Sequence, residues 1–229
     1  MPSRELVDGA DPFPATVLEP SAASRVVLFS VGAGGNPERH LPLLEALVER
    51  GCLVVAPHFE RLVSPRPTED NLSLRARRLR LALDSVARAS LPVVGVGHSI
   101  GATMLLALAG ARVWMRADGP LAIEADERLA KLVLLAPATG FFRAPGALDA
   151  VKTPISVWAG TNDSITPVAQ AELLSSALAG RVPVDAHVRE GAGHFSFMHL
   201  PPPATTEPLD DRDAFLSELT NEVCRFVTA

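Results

Sequence analysis

Cysteine is scarce in this sequence, whose 229 residues include only two, Cys52 and Cys224. Both lie in apolar segments, and neither belongs to a Cys-x-x-Cys pair or to a cluster of cysteines and histidines. Secreted domains held by disulfides and structural zinc sites need such patterns. The sequence therefore excludes a disulfide framework, predicts no metal site and indicates two buried thiols.

The sequence also lacks an excess of positive charge and a long hydrophobic run. The chain has 21 basic and 26 acidic residues and a net charge of -5, which disfavours a nucleic-acid partner because phosphate binding needs a basic surface. The longest small and apolar run, at 100–111, is far shorter than the ~20 residues that span a bilayer. The N-terminal segment has no apolar signal core. We expect neither a nucleic-acid nor a membrane partner, and a cytoplasmic location.

Strand and helix patterns alternate along most of the chain, and the 48% of hydrophobic residues are enough for one sizeable core. Continuous apolar runs predict buried strands at 25–31, 52–58, 92–99, 131–138, 155–163 and 184–190. Helical spacing of apolar residues predicts helices at 37–50, 72–86, 100–111, 167–179 and 213–228. The alternation predicts one α/β domain over 1–229, with a mostly parallel, doubly wound sheet and helices on both faces. The segments 59–70, 112–130 and 139–152 are candidate lid elements.

The most specific motif is Gly97-His98-Ser99-Ile100-Gly101, which matches Gly-x-Ser-x-Gly. It lies between a predicted strand and a predicted helix, where this pattern forms a sharp turn that exposes the serine. The flanking glycines allow the strand and the helix to approach closely. We expect Ser99 to be a nucleophile; a glycine-rich turn without catalytic meaning is the alternative.

A nucleophilic serine needs a base to take its proton and an acid to orient that base. Asp163 closes the strand predicted at 155–163, and His194 follows the last predicted strand. Parallel strands open their carboxyl ends on the same edge of a sheet, so the three side chains are expected to meet there. The order Ser, Asp, His along the chain is the one found in α/β-hydrolases.

At these three residues the chain resembles the α/β-hydrolase superfamily, from the strand predicted at 25–31 to the final helix. The resemblance implies an α/β-hydrolase fold with a small cap or none. The phrases VVLFSVGAGGNPERHLPLLEALVERGCLVVAPH and GAGHFSFM are similar to the predicted dienelactone hydrolase group and to esterases like platelet-activating-factor acetylhydrolase. Dienelactone hydrolases use a cysteine nucleophile, whereas this turn carries Ser99.

Several other residues compete for the roles of acid and base. The alternative acids, Asp149 and Asp185, lie before a predicted strand and at the start of another, away from the functional edge. Among the histidines, His58 lies at that edge and is a candidate for the pocket. His40 lies in a predicted surface helix and His187 in mid-strand, where a structural role is usual. His98 is expected to pack and to form hydrogen bonds, and His199 either to rim the site or to be solvated.

Acyl transfer also needs donors for the developing oxyanion, and backbone N–H groups are suited to this. Ile100, directly after the nucleophile, is expected to supply one. The loop Gly32-Ala33-Gly34-Gly35 is expected to supply the second, with Ala33 preferred and Gly34 as the alternative. Many α/β-hydrolases have a histidine before this glycine, whereas this chain has Val31, so the side chain that usually braces the loop is missing.

Substrate specificity is expected to come from the loops. Gly34 and the apolar side chains that follow two strands are candidates for lining the pocket, namely Phe141, Phe142, Phe195, Phe197 and Met198. The arginines 75, 77, 78 and 80 have helical spacing and are expected to form a solvated helix face.

These observations predict a serine hydrolase that cleaves a small to medium carboxylic ester through an acyl-enzyme, without a cofactor. The expected partner is the small-molecule ester itself. A thioesterase or an amidase is an alternative, since the triad chemistry does not select the leaving group. A binding module without activity on the same fold is the alternative from another class.

Overall fold

The computed structural model describes residues 3–64, 67–86, 88, 90–116 and 119–229. The strands are β1 (Ser3–Asp8), β2 (Asp11–Leu18), β3 (Arg25–Ser30), β4 (Cys52–Pro57), β5 (Val93–His98), β6 (Trp114–Arg116), β7 (Gly119–Pro120), β8 (Leu129–Leu135), β9 (Ile155–Gly160) and β10 (Val184–Arg189). The helices are α1 (Leu41–Glu49), α2 (Glu69–Asp84), α3 (Ile100–Leu108), α4 (Ala169–Leu178) and α5 (Arg212–Thr228). Short 3-10 helices form at Pro37–His40 and Gly140–Phe142.

Eight strands form one sheet in the order β1-β2-β4-β3-β5-β8-β9-β10. The six strands from β4 to β10 in that order pair in parallel, as expected from apolar runs joined by helices. The prediction of a mostly parallel α/β sheet is confirmed. The carboxyl ends of β3, β5, β8, β9 and β10 lie at one edge of this sheet, and the loops that leave them carry the candidate site.

The N-terminal hairpin of β1 and β2 was not predicted from the sequence. The two strands pair in antiparallel fashion, and β2 then pairs in antiparallel fashion with β4. Pro12 and Pro14 argue against a strand because proline cannot donate to a ladder. The pairing of β2 with β4 begins only at Ala15, so both prolines precede the part of the strand that is paired on both sides.

Helices cover both faces of the sheet, and each face has its own core. On one face α2, α3 and α4 pack on side chains such as Leu28 and Val157. On the other face α1 and α5 pack on side chains such as Phe29 and Val133. The second core also contains Cys52 and Cys224, which are free and buried. Burial raises the pKa of Cys52 to about 11.

The three segments predicted as candidate lid elements contain local structure of their own. Residues 112–130 contain the two-stranded ribbon of β6 and β7 and the start of β8, and 139–152 contain a 3-10 helix. Residues 59–62 lie against the loop after β3, where Leu62 N donates to Ala33 O at 2.9 Å. Residues 65, 66, 117 and 118 of these segments lie outside the described residues. No α-helix in the described ranges is long and apolar enough to span a membrane.

Candidate active site

Ser99 lies on the turn between β5 and α3 with φ 56° and ψ -126°, a backbone conformation that is strained for a residue with a side chain. The turn requires glycine nearby. A Cβ atom built on Gly101 would lie 2.0 Å from the carbonyl oxygen of Ser30, so only glycine allows α3 to approach β3 so closely. The strand and helix thus force the Ser99 side chain to a fixed place at the edge of the sheet.

The structure brings Ser99, His194 and Asp163 together. Nε2 of His194 lies 2.9 Å from Oγ of Ser99, and Nδ1 of His194 lies 2.8 Å from Oδ2 of Asp163. The side chain of His194 is 6% exposed and that of Asp163 is fully buried. The distances are those of hydrogen bonds, and they form the serine–histidine–aspartate arrangement expected from the sequence.

The carboxylate of Asp163 accepts hydrogen bonds from Ile165 and Thr166 in addition to that from His194. Its Oδ1 accepts hydrogen bonds from the backbone N–H groups of Ile165 at 2.8 Å and Thr166 at 2.7 Å. Its Oδ2 accepts a bond from the Thr166 hydroxyl at 2.7 Å. Burial raises the pKa of Asp163, but the bonds from His194 and Thr166 outweigh it and hold that pKa below its usual value. The carboxylate is therefore ionised at neutral pH.

Thr166 was not predicted from the sequence to be a site residue, although it contacts two members of the triad. Its Oγ1 lies 3.0 Å from Nδ1 of His194 as well as 2.7 Å from Asp163. The signal available in the sequence is Asp163-Ser164-Ile165-Thr166, because an aspartate commonly accepts from N–H groups two and three residues ahead.

Two further histidines pack behind the base. The His98 ring lies 4.8 Å from the His194 ring, and its Nε2 donates to the backbone oxygen of His194 at 3.0 Å. The His40 ring lies 5.3 Å from His98 and is fully buried, so its expected place on a surface helix is wrong. Burial lowers the pKa of His98 to about 3 and that of His40 well below its usual value, so both rings are neutral.

The candidate oxyanion donors lie close to the nucleophile, in the loop after β3 and at the start of α3. Ala33 and Gly34 line the same cavity as Ser99, and Ile100 begins the helix directly after it. The N–H groups of Ala33 and Ile100 make no hydrogen bond within the part of the chain that the structure describes. Both are therefore available to a ligand.

A cavity of about 270 Å³ opens beside Ser99 and His194. Gly34, Phe195 and Met198 line it, as the sequence suggested, together with Leu62 and the prolines 202 and 203, which the sequence did not single out. Arg39 and Arg61 also border it.

Three predicted pocket residues lie elsewhere. Phe142 is 3% exposed and packs in the core of the α3 face, with Phe141 against the same core. Phe197 is fully buried against Phe215 of α5. The loop that carries Phe141 and Phe142 is fixed by Gln170, whose side-chain oxygen accepts from the N–H group of Gly140 at 3.1 Å, so the two rings turn toward the core and not toward the cavity.

The other rivals for the acid and base roles make contacts outside the triad. His58 bonds to Thr16 at 2.8 Å, and His187 stacks on Trp158 and pairs with Asp185 at 3.0 Å. Asp149 lies 3.6 Å from Arg181. In the described ranges, no three or more histidine, cysteine, aspartate or glutamate side chains are grouped so as to hold a metal ion.

Solved structures of other proteins share this architecture. A serine hydrolase homologue from Coxiella burnetii superposes with a TM-score of 0.68 at 18% identity, over 98% of this chain and 96% of that one. The chain has the α/β-hydrolase fold. Esterase 2 of Thermogutta terrifontis, solved with propionate bound, gives 0.68 at 16% identity over 99% and 92%.

The same esterase phosphorylated by paraoxon gives a TM-score of 0.67 at 17% identity over 98% of this chain and 94% of that one. No protein-family model matches the sequence, and no curated protein matches it. The likeness to these proteins is therefore one of fold, and the chemistry has to be argued from the site.

Proposed function

We propose that the protein is a serine hydrolase that cleaves small to medium carboxylic esters through an acyl-enzyme. The observation that carries this proposal is the continuous chain of hydrogen bonds from Asp163 Oδ2 to His194 Nδ1 at 2.8 Å and from His194 Nε2 to Ser99 Oγ at 2.9 Å. Serine is a weak nucleophile without such a base. The buried, ionised carboxylate keeps the proton of the imidazole on Nδ1 and leaves Nε2 free to accept.

The reaction then follows in two halves. Ser99 Oγ attacks the ester carbonyl carbon while His194 Nε2 takes the hydroxyl proton, and the carbonyl oxygen becomes an oxyanion held by the N–H groups of Ala33 and Ile100. When this intermediate collapses, the alcohol leaves with the proton from His194 and an acyl-Ser99 ester remains. A water molecule, deprotonated by His194, attacks the acyl group and restores Ser99 with release of the acid.

The cavity supports a modest substrate size. Its volume of about 270 Å³ lies near the lower end of the range for small-molecule pockets, roughly 300–1,000 Å³. Leu62, Phe195 and Met198 give it apolar walls, which suit an aliphatic acyl chain. Propionate, which is bound in a structure of the Thermogutta esterase, is a short carboxylate, and this supports a short-chain preference here. The similarity to dienelactone hydrolases stays a prediction.

A panel of p-nitrophenyl esters with acyl chains of two to about twelve carbons tests the proposal. We expect hydrolysis with the highest kcat/KM for the short members. The matching thioesters and anilides, assayed beside them, identify the preferred leaving group. Turnover of anilides alone would replace the esterase by an amidase, and binding of esters without turnover would favour the binding module.

A further inference from the structure

Arg75 is a buried cation that the proposed mechanism does not use. It lies in α2 with 2% of its surface exposed, so the expected solvated helix face is wrong for this arginine. In the ranges that the structure describes, no carboxylate lies within salt-bridge distance of it. Burying an unpaired charge is costly. The contacts that Arg75 does make therefore need an explanation.

The guanidinium donates to backbone oxygens. Nη1 lies 3.2 Å from the carbonyl oxygens of both Val31 and Gly32, and Nη2 lies 3.3 Å from that of Glu60. The planar group also lies over the Phe59 ring, 4.5 Å from its centroid. Burial lowers the pKa of Arg75 to about 10, and it stays charged at neutral pH. One side chain thus joins the loop after β3 to the 59–62 segment.

The Gly32 oxygen belongs to the same peptide group as the N–H of Ala33. In a trans peptide these two groups point in opposite directions and cannot turn independently. A donor that holds the Gly32 oxygen therefore also fixes the direction of the Ala33 N–H. Ala33 and Ser99 line one cavity, and the Ala33 N–H is free of protein partners within the described part of the chain.

A cation on the carbonyl side also polarises the peptide. Hydrogen bonds in series strengthen one another, so the bond from Arg75 makes the Ala33 N–H a stronger donor. The peptide that carries the Ile100 N–H is held in a comparable way, since the Ser99 oxygen accepts from Ala102 N at 3.0 Å in the first turn of α3. The Gly32 oxygen accepts a similar turn bond from Gly35 N at 3.1 Å, and Arg75 adds a charged donor to that oxygen, which the apolar side chain of Val31 cannot supply.

We propose that Arg75 is a positioning residue for ester hydrolysis, whose guanidinium fixes and polarises the Gly32–Ala33 peptide so that its N–H stabilises the oxyanion. The proposal rests on the function proposed above. It assigns to a buried arginine of α2 the bracing of a loop that Val31 leaves without a side-chain hydrogen bond. Arg75 acts through the backbone and does not touch the substrate.

Arg75→Met tests this proposal, with Arg78→Met as the matched control. Arg78 lies in the same helix, is 14% exposed, bonds to Asp8 and lies over the Phe13 ring, so its loss removes a comparable guanidinium from α2 without touching the loop after β3. Each variant is assayed for kcat and KM with a short p-nitrophenyl ester, and for inhibition by a trifluoromethyl ketone and by the matching methyl ketone. The fluorinated ketone forms a hemiketal with Ser99 whose oxygen becomes an oxyanion, with the serine proton passing to His194.

For Arg75→Met we expect kcat to fall about tenfold to a hundredfold, with KM within about twofold of wild type. The affinity for the trifluoromethyl ketone should fall by a similar factor, and that for the methyl ketone should not change. Arg78→Met should keep wild-type values even if its Tm drops. If Arg75→Met does not fold, Arg75→Lys is used, for which we expect a loss of about threefold to tenfold because one ammonium group cannot span the same acceptors.

Three results would overturn the proposal. The first is an Arg75 variant with wild-type kcat, and the second is a lower kcat without a matching loss of affinity for the trifluoromethyl ketone. The third is an equal loss in Arg78→Met. If wild type is active and any of these is seen, only the role of Arg75 fails. A wild-type protein that turns over no ester and is not inhibited by the fluorinated ketone would overturn the proposed function and this role with it.

Discussion

His194 Nε2 lies 2.9 Å from Ser99 Oγ, although 95 residues separate them in the chain. The contact joins the turn after β5 to the loop after β10 and places a base on the hydroxyl. Ser99→Ala should therefore lower kcat by about three to six orders of magnitude without loss of folding, as removal of a triad nucleophile does. Steady-state hydrolysis and the circular dichroism spectrum check this. Retention of most of the activity would place the site elsewhere.

We expect the hydroxyl of Thr166 to contribute to catalysis by holding Asp163 in place. The hydroxyl has one proton, and the buried Asp163 carboxylate at 2.7 Å is its closest acceptor. Hydrogen bonds to charged groups contribute more than neutral ones, so Thr166→Val should lower kcat about tenfold by loosening the acid that orients His194.

Thr166→Ser keeps the hydroxyl and serves as the control for the loss of the methyl group. Its kcat should stay within about twofold of wild type, since the bond to Asp163 can still form. Equal kcat values for the valine and serine variants would show that the hydroxyl has no part in orienting the triad.

Gly101→Ala should destabilise the fold. The new Cβ would lie 2.0 Å from Ser30 O, a contact that forces α3 away from β3, and we expect a loss of more than about 3 kcal/mol in the free energy of unfolding. Gly140→Ala is the control, since nothing lies within 4 Å of its added Cβ. Urea unfolding compares the two variants, and similar midpoints would contradict the close packing at this turn.

The buried histidines should make stability depend on pH. His40 and His98 have pKa values lowered by burial, so below about pH 6.5 the unfolded chain binds protons that the folded chain does not. Stability is therefore lost as pH falls from about 6.5 toward 3, by up to about 1.4 kcal/mol per pH unit for each histidine.

His40→Phe removes one of these two groups. Between pH 6 and about 4.5 the slope of the unfolding free energy against pH should decrease by about 1.4 kcal/mol per unit relative to wild type. Urea unfolding at several pH values gives both slopes. A variant with the wild-type slope would mean that His40 takes up a proton in the folded protein.

The parallel sheet and the triad could be predicted because both depend on local patterns. Buried strands are apolar throughout, and a nucleophile on a strand-to-helix turn carries its own motif. The place of a loop side chain depends on contacts far away in the sequence, which is why Phe141 and Phe142 were expected in the pocket although Gln170 turns their loop toward the core. Pro12 and Pro14 argue against a strand at β2, but they lie in the part of it that pairs with β1 alone, and pairing on both sides begins at Ala15.

The burial of Arg75, in contrast, agrees with a local pattern in the sequence, although its residue type predicts exposure to solvent. It lies three residues after Leu72 and four before Leu79, on the buried stripe of α2. Three other arginines follow within five residues, and their number suggested a solvated face. Position on the stripe, and not residue type, decides burial here, because the backbone oxygens of the loop after β3 give this one guanidinium its partners.

Covalent labelling of the whole protein by a fluorophosphonate probe, followed by mass spectrometry of its peptides, tests the central claim most directly. The phosphorus reacts only with a serine whose proton is taken by a base, and fluoride leaves. The account predicts a single label, on Ser99, which is lost in Ser99→Ala and is slowed in His194→Gln. Absence of label from the folded wild-type protein, or a label on another residue, would contradict it.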